Sequence, residues 1–420
     1  MEPASTLPQE LIDDIVDYVP DDEKTQRNLS LVNRSWSHRT RHNLFQTVSF
    51  ELGGRNCARL NEVLQTNPSL YQHIQTMRID HDSRYSLQSS SIVGVIDPKQ
   101  LVNVRDISIH GDMESNLNWG ALPAGLRSAL YDLLAKPDLT TLVLMDISDI
   151  DVSFIGRNRR LKELGLYGVK HTLSCIPSTS SEGPPATHLA DEKCSLRSLS
   201  VGHCGDALQC LRAAAAIVPQ PVVLRVHSCY YDDKMDTSLQ LFSCNVETYE
   251  ITCVPTEDLT GAIGPPLHSG ILDLARLPKL KTLNINLHAD HLWCLLSRPS
   301  ATMSSPLVQQ LNRLRGTNSL EDIDISLDLD FPNAARSNFW TGMSFAQMMI
   351  LSDHTWEDLD NTLSDRDAFP KLKRVRIVHR FTRSEDPGQA WSAFMTFFKV
   401  SVLQNLNRRC MLEVITADLE

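Results

Sequence analysis

LVQQLNRLRGTNSLEDIDI, residues 307–325, contains the unit that organises most of the chain. Its apolar residues recur at helical spacing as far as Leu314, and Gly316 and Asn318 then stop the helix. Leu320, Ile323 and Ile325 follow in the pattern L-x-x-L-x-L. In such a strand the apolar side chains point to one side, while positions three, five and seven point to the other. A return of this helix, turn and strand along the chain is the mark of a repeat architecture.

The strict L-x-x-L-x-L strands start at Leu139, Leu161, Leu196, Leu280, Leu320 and Leu372, with looser ones at Ile74, Val104, Pro221 and Val246. Helical stretches precede several of them: residues 57–66, 125–138, 271–279 and 307–318. The starts fall 22 to 52 residues apart, against about 20–29 in regular leucine-rich repeats. The excess falls in residues 178–186, 255–270, 297–306 and 331–369, which read as loop insertions. Position nine, which often carries Asn or Cys in regular arrays, does so only at Cys204 and Cys229. The expected fold class is α/β. A small α-helical module over residues 1–48 precedes an irregular, leucine-rich-repeat-like α/β solenoid with parallel strands over residues 49–420. Leu142, Leu164, Leu199, Leu283, Ile323 and Val375 are expected at equivalent core positions of successive strands. The alternative is an unrelated α/β fold with a continuous sheet.

Residues 7–36, LPQELIDDIVDYVPDDEKTQRNLSLVNRSW, read differently. Leu11, Ile12, Ile15, Val16 and Val19 recur at helical spacing behind Pro8, which suits the first turn of a helix. After an acidic turn, a second helix carries Leu29, Val32 and Trp36 on one side. Two or three short helices cannot enclose a core that is stable alone, so they lean on a neighbouring domain or a partner.

Leu7-Pro8, Glu10-Leu11-Ile12, Leu31-Val32 and Arg34-x-Trp36 together resemble the F-box, over roughly residues 5–48. The wider chain is similar to the F-box-like proteins abundant in fungi, which carry irregular leucine-rich C-terminal halves. The resemblance implies docking on a Skp-type adaptor and, through it, on a cullin, with a protein substrate held by the C-terminal region. It places adaptor contacts on Leu7, Pro8, Leu11, Ile12, Ile15, Val16, Leu29, Val32 and Trp36. Asn33 stands where that family often has Cys, and Gln26 where an apolar residue often packs into the adaptor groove. Gln26 is therefore expected to face either the groove or water. The alternative function is a scaffold or regulatory interaction protein outside the ubiquitin system, with the helices acting only as a cap.

Charged residues make up 22% of the chain and the formal net charge is −11, so no nucleic-acid partner is expected. The basic run at residues 157–160 reads as solvated surface. No secretory signal and no membrane span is read from the sequence, and an intracellular protein with reduced cysteines is expected. No catalytic constellation, cofactor or metal site is evident. His288 and His291 lack two further ligands at zinc spacing, and the carboxylates between Glu321 and Asp330 alternate with apolar residues as in a strand.

The surface that remains is the outward face of the repeat strands. Position five reads Arg78, Ser108, Val143, Gly165, Ser200, Arg225, Glu250, Asn284, Asp324 and Arg376. Arg225, Glu250, Asn284, Asp322, Asp324, Arg374 and Arg376 are the candidate substrate-binding residues. Asp322 and Asp324 are expected beside Arg374 and Arg376 on one face. They either neutralise each other or form a bipolar patch for a partner.

Overall fold

The computed structural model describes residues 7–18, 22–32, 34–84, 97–112, 115–158, 160–170, 196–214, 220–227, 239–253, 273–288, 305–316, 318–329, 353–382 and 398–419. Val19, Asn33, Cys229, His291 and the tracts 178–186 and 255–270 lie outside these residues, as do residues 297–304 and 331–352. Twelve strands form a large parallel sheet in chain order. The chain divides into two compact units, residues 1–196 with 213–217 and residues 197–212 with 218–420.

The first unit opens with three helices, α1 (Gln9–Asp17), α2 (Glu23–Ser30) and α3 (Arg34–Gln46). The parallel strands that follow are β1 (Thr47–Leu52), β2 (Thr76–His81), β3 (Asp106–His110), β5 (Thr141–Met145) and β7 (Glu163–Tyr167). Two short strands, β4 (Leu117–Asn118) and β6 (Ile147–Ser148), make a separate parallel pair. Between β1 and β2, helix α4 (Arg55–Thr66) buries Cys57 and Leu64, and Asn67-Pro68 ends it. Helix Ala124–Leu134 buries Leu126, Leu130, Leu133 and Leu134 before β5, starting one residue ahead of the predicted stretch 125–138 and ending four residues short of it. Trp119, Tyr131 and Phe154 meet edge to face, with ring centroids 5.3 and 5.9 Å apart.

The second unit carries β8 (Ser198–Gly202), β9 (Val223–His227), β10 (Thr248–Cys253), β11 (Thr282–His288), β12 (Asp322–Leu329), β13 (Arg374–Thr382) and β14 (Leu412–Leu419), all parallel. Helix Pro306–Arg313 precedes β12 and buries Leu307, Val308 and Leu311. Ser305 caps it, accepting from the Val308 N–H. Of the expected helix over 271–279, the described residues 273–279 hold a short 3-10 turn, Leu274–Arg276, and Pro278 denies it a further turn.

The repeated leucines form the core. Met77, Ile107, Leu142 and Leu164 are in register in the first unit. Leu199, Leu224, Tyr249, Leu283, Ile323 and Val375 are in register in the second. All ten are buried. The strand lead-ins are tied by a matching backbone ladder, for example Thr140 N–H to Arg105 O at 2.7 Å and Glu321 N–H to Lys281 O at 2.7 Å. These bonds give every strand the same phase, so the leucines stack on one side of the sheet.

Two loop expectations need correction. Residues 331–369 are not a loop throughout, because helix Asp353–Leu363 lies within them and buries Trp356, Leu359 and Leu363. Its Asp360 carboxylate is buried and accepts from the Asn405 and Leu406 N–H groups, both at 2.9 Å, satisfying the start of helix Gln404–Arg408. The tract 297–306 ends as helix, since Pro306 occupies a first turn.

Candidate functional site

Pro8 starts α1, its carbonyl accepting from the Leu11 and Ile12 N–H groups at 3.1 and 3.2 Å. Asp22 caps α2, accepting from Thr25 N–H at 3.0 Å and from the Thr25 hydroxyl, which holds its carboxyl below the usual range. Asp17 ties α1 to α3, accepting from Arg39 Nε at 2.7 Å and Asn43 Nδ2 at 3.0 Å. The bond from Arg39 keeps the Asp17 carboxyl below its ordinary value. With the helices so fixed, α1 has one apolar row inside and another outside.

The inner row is Ile12 and Val16, at 4% and 0% exposure. Both were expected on the adaptor surface, and their burial inside the module removes them from it. The outer row is Leu7, Leu11 and Ile15, each close to half exposed; in the turn after α2, Leu31 is 83% and Val32 60% exposed. Pro8 is exposed, while Leu29 and Trp36 are half-buried. Tyr18 at 89% exposure belongs to the outward apolar set; it lies i+3 from Ile15 and i+7 from Leu11, a same-face spacing that the sequence reading passed over. Gln26 faces neither groove nor water. It is buried, and its Nε2 donates to Val16 O at 3.0 Å, joining α2 to the end of α1.

α3 rests on the 3-10 turn Pro68–His73. His42 Nδ1 and His73 Nδ1 lie 3.4 Å apart, and the His38 ring stands edge-on to His73 at 6.0 Å. Burial pushes the His42 and His73 imidazoles below their ordinary pKa. Arg39 and His38 add to the effect on His42, against Asp17, while His42, His38 and Arg41 add to it on His73.

On the strand face, position five forms a column in register within each unit. Arg78, Ser108, Val143 and Gly165 make the first. Ser200, Arg225, Glu250, Asn284, Asp324, Arg376 and Glu413 make the second. The second column binds itself. Arg225 Nε lies 3.2 Å from Glu250 Oε2 and Arg225 Nη1 donates to Ser198 Oγ at 2.8 Å, while Asn286 Nδ2 donates to Glu250 Oε1 at 3.1 Å. Arg374 Nε meets Asp322 Oδ1 at 3.0 Å. Arg376 Nε meets Glu413 Oε2 at 3.0 Å and lies 3.8 Å from Asp324 Oδ1. The expected neighbourhood of Asp322 and Asp324 with Arg374 and Arg376 is present. Among the described residues, Asn284 Oδ1 and Asp324 Oδ1 are buried acceptors without a hydrogen-bond donor.

Among the described residues no group of three or more His, Cys, Asp or Glu side chains is arranged to hold a metal ion. His288 closes β11. Cys57, Cys244 and Cys410 form no disulfide among the described residues, and burial pushes the Cys57 thiol up to about 11. No helix among the described residues is long and apolar enough to cross a membrane. Compared with protein-family models and with curated proteins, the sequence matches none.

Proposed function

We propose that this protein is a substrate-recognition adaptor of a Skp–cullin–F-box type ubiquitin ligase. The N-terminal helices bind the Skp-type subunit, and a leucine-rich-repeat-like solenoid of parallel strands binds a protein substrate. The observation that carries this reading is the outward apolar set Leu7, Leu11, Ile15, Leu31 and Val32. It sits on helices whose inner side is already filled by Ile12, Val16 and Gln26. Several large apolar side chains facing water within one small helical module are costly for an isolated domain and support an interaction surface there. The protein is not itself an enzyme in this reading, because ligase chemistry belongs to other subunits.

A second reading is favoured by the packing of α3 on residues 68–73: a scaffold outside the ubiquitin system whose helices serve only as a cap. Titration calorimetry with a purified Skp-type adaptor separates the two. Binding by the intact chain should be lost in the double variant Leu11→Ala, Leu31→Ala, since interface anchors contribute about 2 kcal/mol or more each. Both residues are exposed, so the melting temperature should hold. No binding by the intact chain sinks the adaptor reading.

A further inference from the structure

The parallel ladder of the second unit ends at β14, which pairs with β13 and, among the described residues, with no further strand. A terminal strand keeps half of its backbone N–H and C=O groups turned away from its neighbour. The core side of the ladder thins at the same edge. Ile323, Ile325, Val375 and Ile377 are all buried, whereas Leu412 and Val414, in register with Val375 and Ile377, are half-buried. On the outward face the charges alternate in sign from strand to strand, Asp322 against Arg374, then Asp324, Arg376 and Glu413. Arg376 stands between two carboxylates. Its Nε donates to Glu413 Oε2 at 3.0 Å and lies 3.8 Å from Asp324 Oδ1, which is buried and has no donor among the described residues. One guanidinium against two carboxylates leaves this row one charge negative. The next place in the alternation, a cation, falls beyond Glu413 and past the last strand.

We propose that β14 accepts an extended segment of a partner protein as a further strand, with Lys or Arg opposite Glu413 between two apolar residues. The added strand pairs with the outward backbone groups of β14. Its apolar side chains fall on the core side, where they cover Leu412 and Val414, while its cation falls on the outward face beside Glu413. The pattern apolar–cation–apolar reads the same in both directions, so it suits a parallel or an antiparallel strand. A carboxylate accepts several hydrogen bonds, so Glu413 can hold the incoming cation and leave Arg376 to Asp324. A second copy of β14 is the wrong occupant. Residues 411–420 contain Glu413, Asp418 and Glu420 and neither Lys nor Arg, and like charges across paired strands are destabilising. The assignment uses none of the N-terminal helices, so it stands apart from the adaptor reading.

Fluorescence anisotropy on the full chain tests it, using a labelled peptide pool of pattern X-X-Φ-Lys-Φ-X-X with Val, Ile or Leu at Φ. A pool with Glu in place of Lys, and one with the backbone nitrogens of Φ-Lys-Φ methylated, are the companion probes. The lysine pool should bind, the glutamate pool about threefold more weakly or less, and the methylated pool not at all, because methylation removes the donors that face β14. Glu413→Gln should weaken the lysine pool about threefold, as for a partly exposed ion pair. Glu413→Lys should turn the preference towards the glutamate pool. Glu163→Gln, at an exposed position of β7, should change nothing. Glu413 is itself exposed, so the melting temperature of the Gln variant should hold. No binding of the lysine pool, equal binding of the methylated pool, or a preference unmoved by Glu413→Lys would each overturn the proposal. Self-association of the chain that the peptide competes away would overturn it too, by making a second copy the occupant.

Discussion

In the second unit the lead-in column reads Arg197, Val222, Glu247, Lys281, Glu321 and Lys373, and its last four members alternate in sign and meet across neighbouring strands. In the first unit Arg105, Thr140 and Lys162 hold the same place, with no carboxylate among the three. The outward strand column differs similarly. Ser108, Val143 and Gly165 are small or neutral, while Arg225, Glu250, Asp324, Arg376 and Glu413 are largely engaged with one another. The first unit also presents Leu7, Leu11, Ile15, Leu31 and Val32 to water. Charge density alone is thus a poor guide to where a partner binds. The richest charged face is largely paired within itself, although Asp324 Oδ1 and Asn284 Oδ1 keep no donor among the described residues.

If the two units differ only at their surfaces, their interiors should respond alike. Leu142→Ala in the first and Ile323→Ala in the second should each cost about 2–5 kcal/mol in urea unfolding, because both are buried at the same register position. A much smaller cost in one would mean that the ladder is not equally packed in both. A backbone contact peculiar to the first unit gives the next largest effect. A Cβ on Gly111 would lie 1.9 Å from Asp146 O, so Gly111→Ala should destabilise by roughly 2 kcal/mol, read as a lowered urea midpoint.

The third prediction concerns pH and the contact of α3 with the 3-10 turn. His42 and His73 have folded-state pKa values below the ordinary 6.5, so the unfolded chain binds protons that the folded chain does not. Their effect on stability is absent well above pH 6.5. It grows as pH falls through that value and is complete once pH passes the lowered folded values. The urea midpoint should therefore drop between pH 7 and pH 5, and His42→Gln with His73→Gln should flatten that slope. An unchanged slope would show that the α3 contact is not strained by protonation. The smallest effect belongs to the second unit. Arg376→Gln removes partly exposed ion pairs and should cost less than about 1 kcal/mol, with the difference shrinking in high salt.

Much of this architecture was legible because a period-two strand leaves little freedom once its leucines are found. L-x-x-L-x-L fixed phase, register and the outward column, and it placed Asp322 beside Arg374 before any coordinates. β1 and β14 escaped because neither Val48, Phe50 and Leu52 nor the residues of 412–419 follow a leading leucine. Helix Asp353–Leu363 escaped because its apolar set, Trp356, Leu359 and Leu363, sits inside a long tract that carries no L-x-x-L-x-L pattern. In α1, helical spacing groups Leu11 with Ile15 and Ile12 with Val16 but cannot say which pair faces inward, since the two rows are one residue apart. Gln26 looked like surface because it is polar, and only a carbonyl in reach, that of Val16, permits it inside. The charge left over at Glu413 was invisible for a related reason: Arg376 is shared with Asp324, which only the register of β12, β13 and β14 reveals.

Each strand of the second unit hydrogen-bonds only to its neighbours in chain order, and β14 has β13 as its one strand partner among the described residues. Such a ladder can open from its end one rung at a time, because breaking the last pairing leaves the others intact. Amide hydrogens should therefore exchange in a gradient, fastest in β14 and slower through β13 and β12 towards β11. A mechanical pull on β14 would peel strands in sequence order, so the unit behaves less like a block that melts at once than like a zip with a free end.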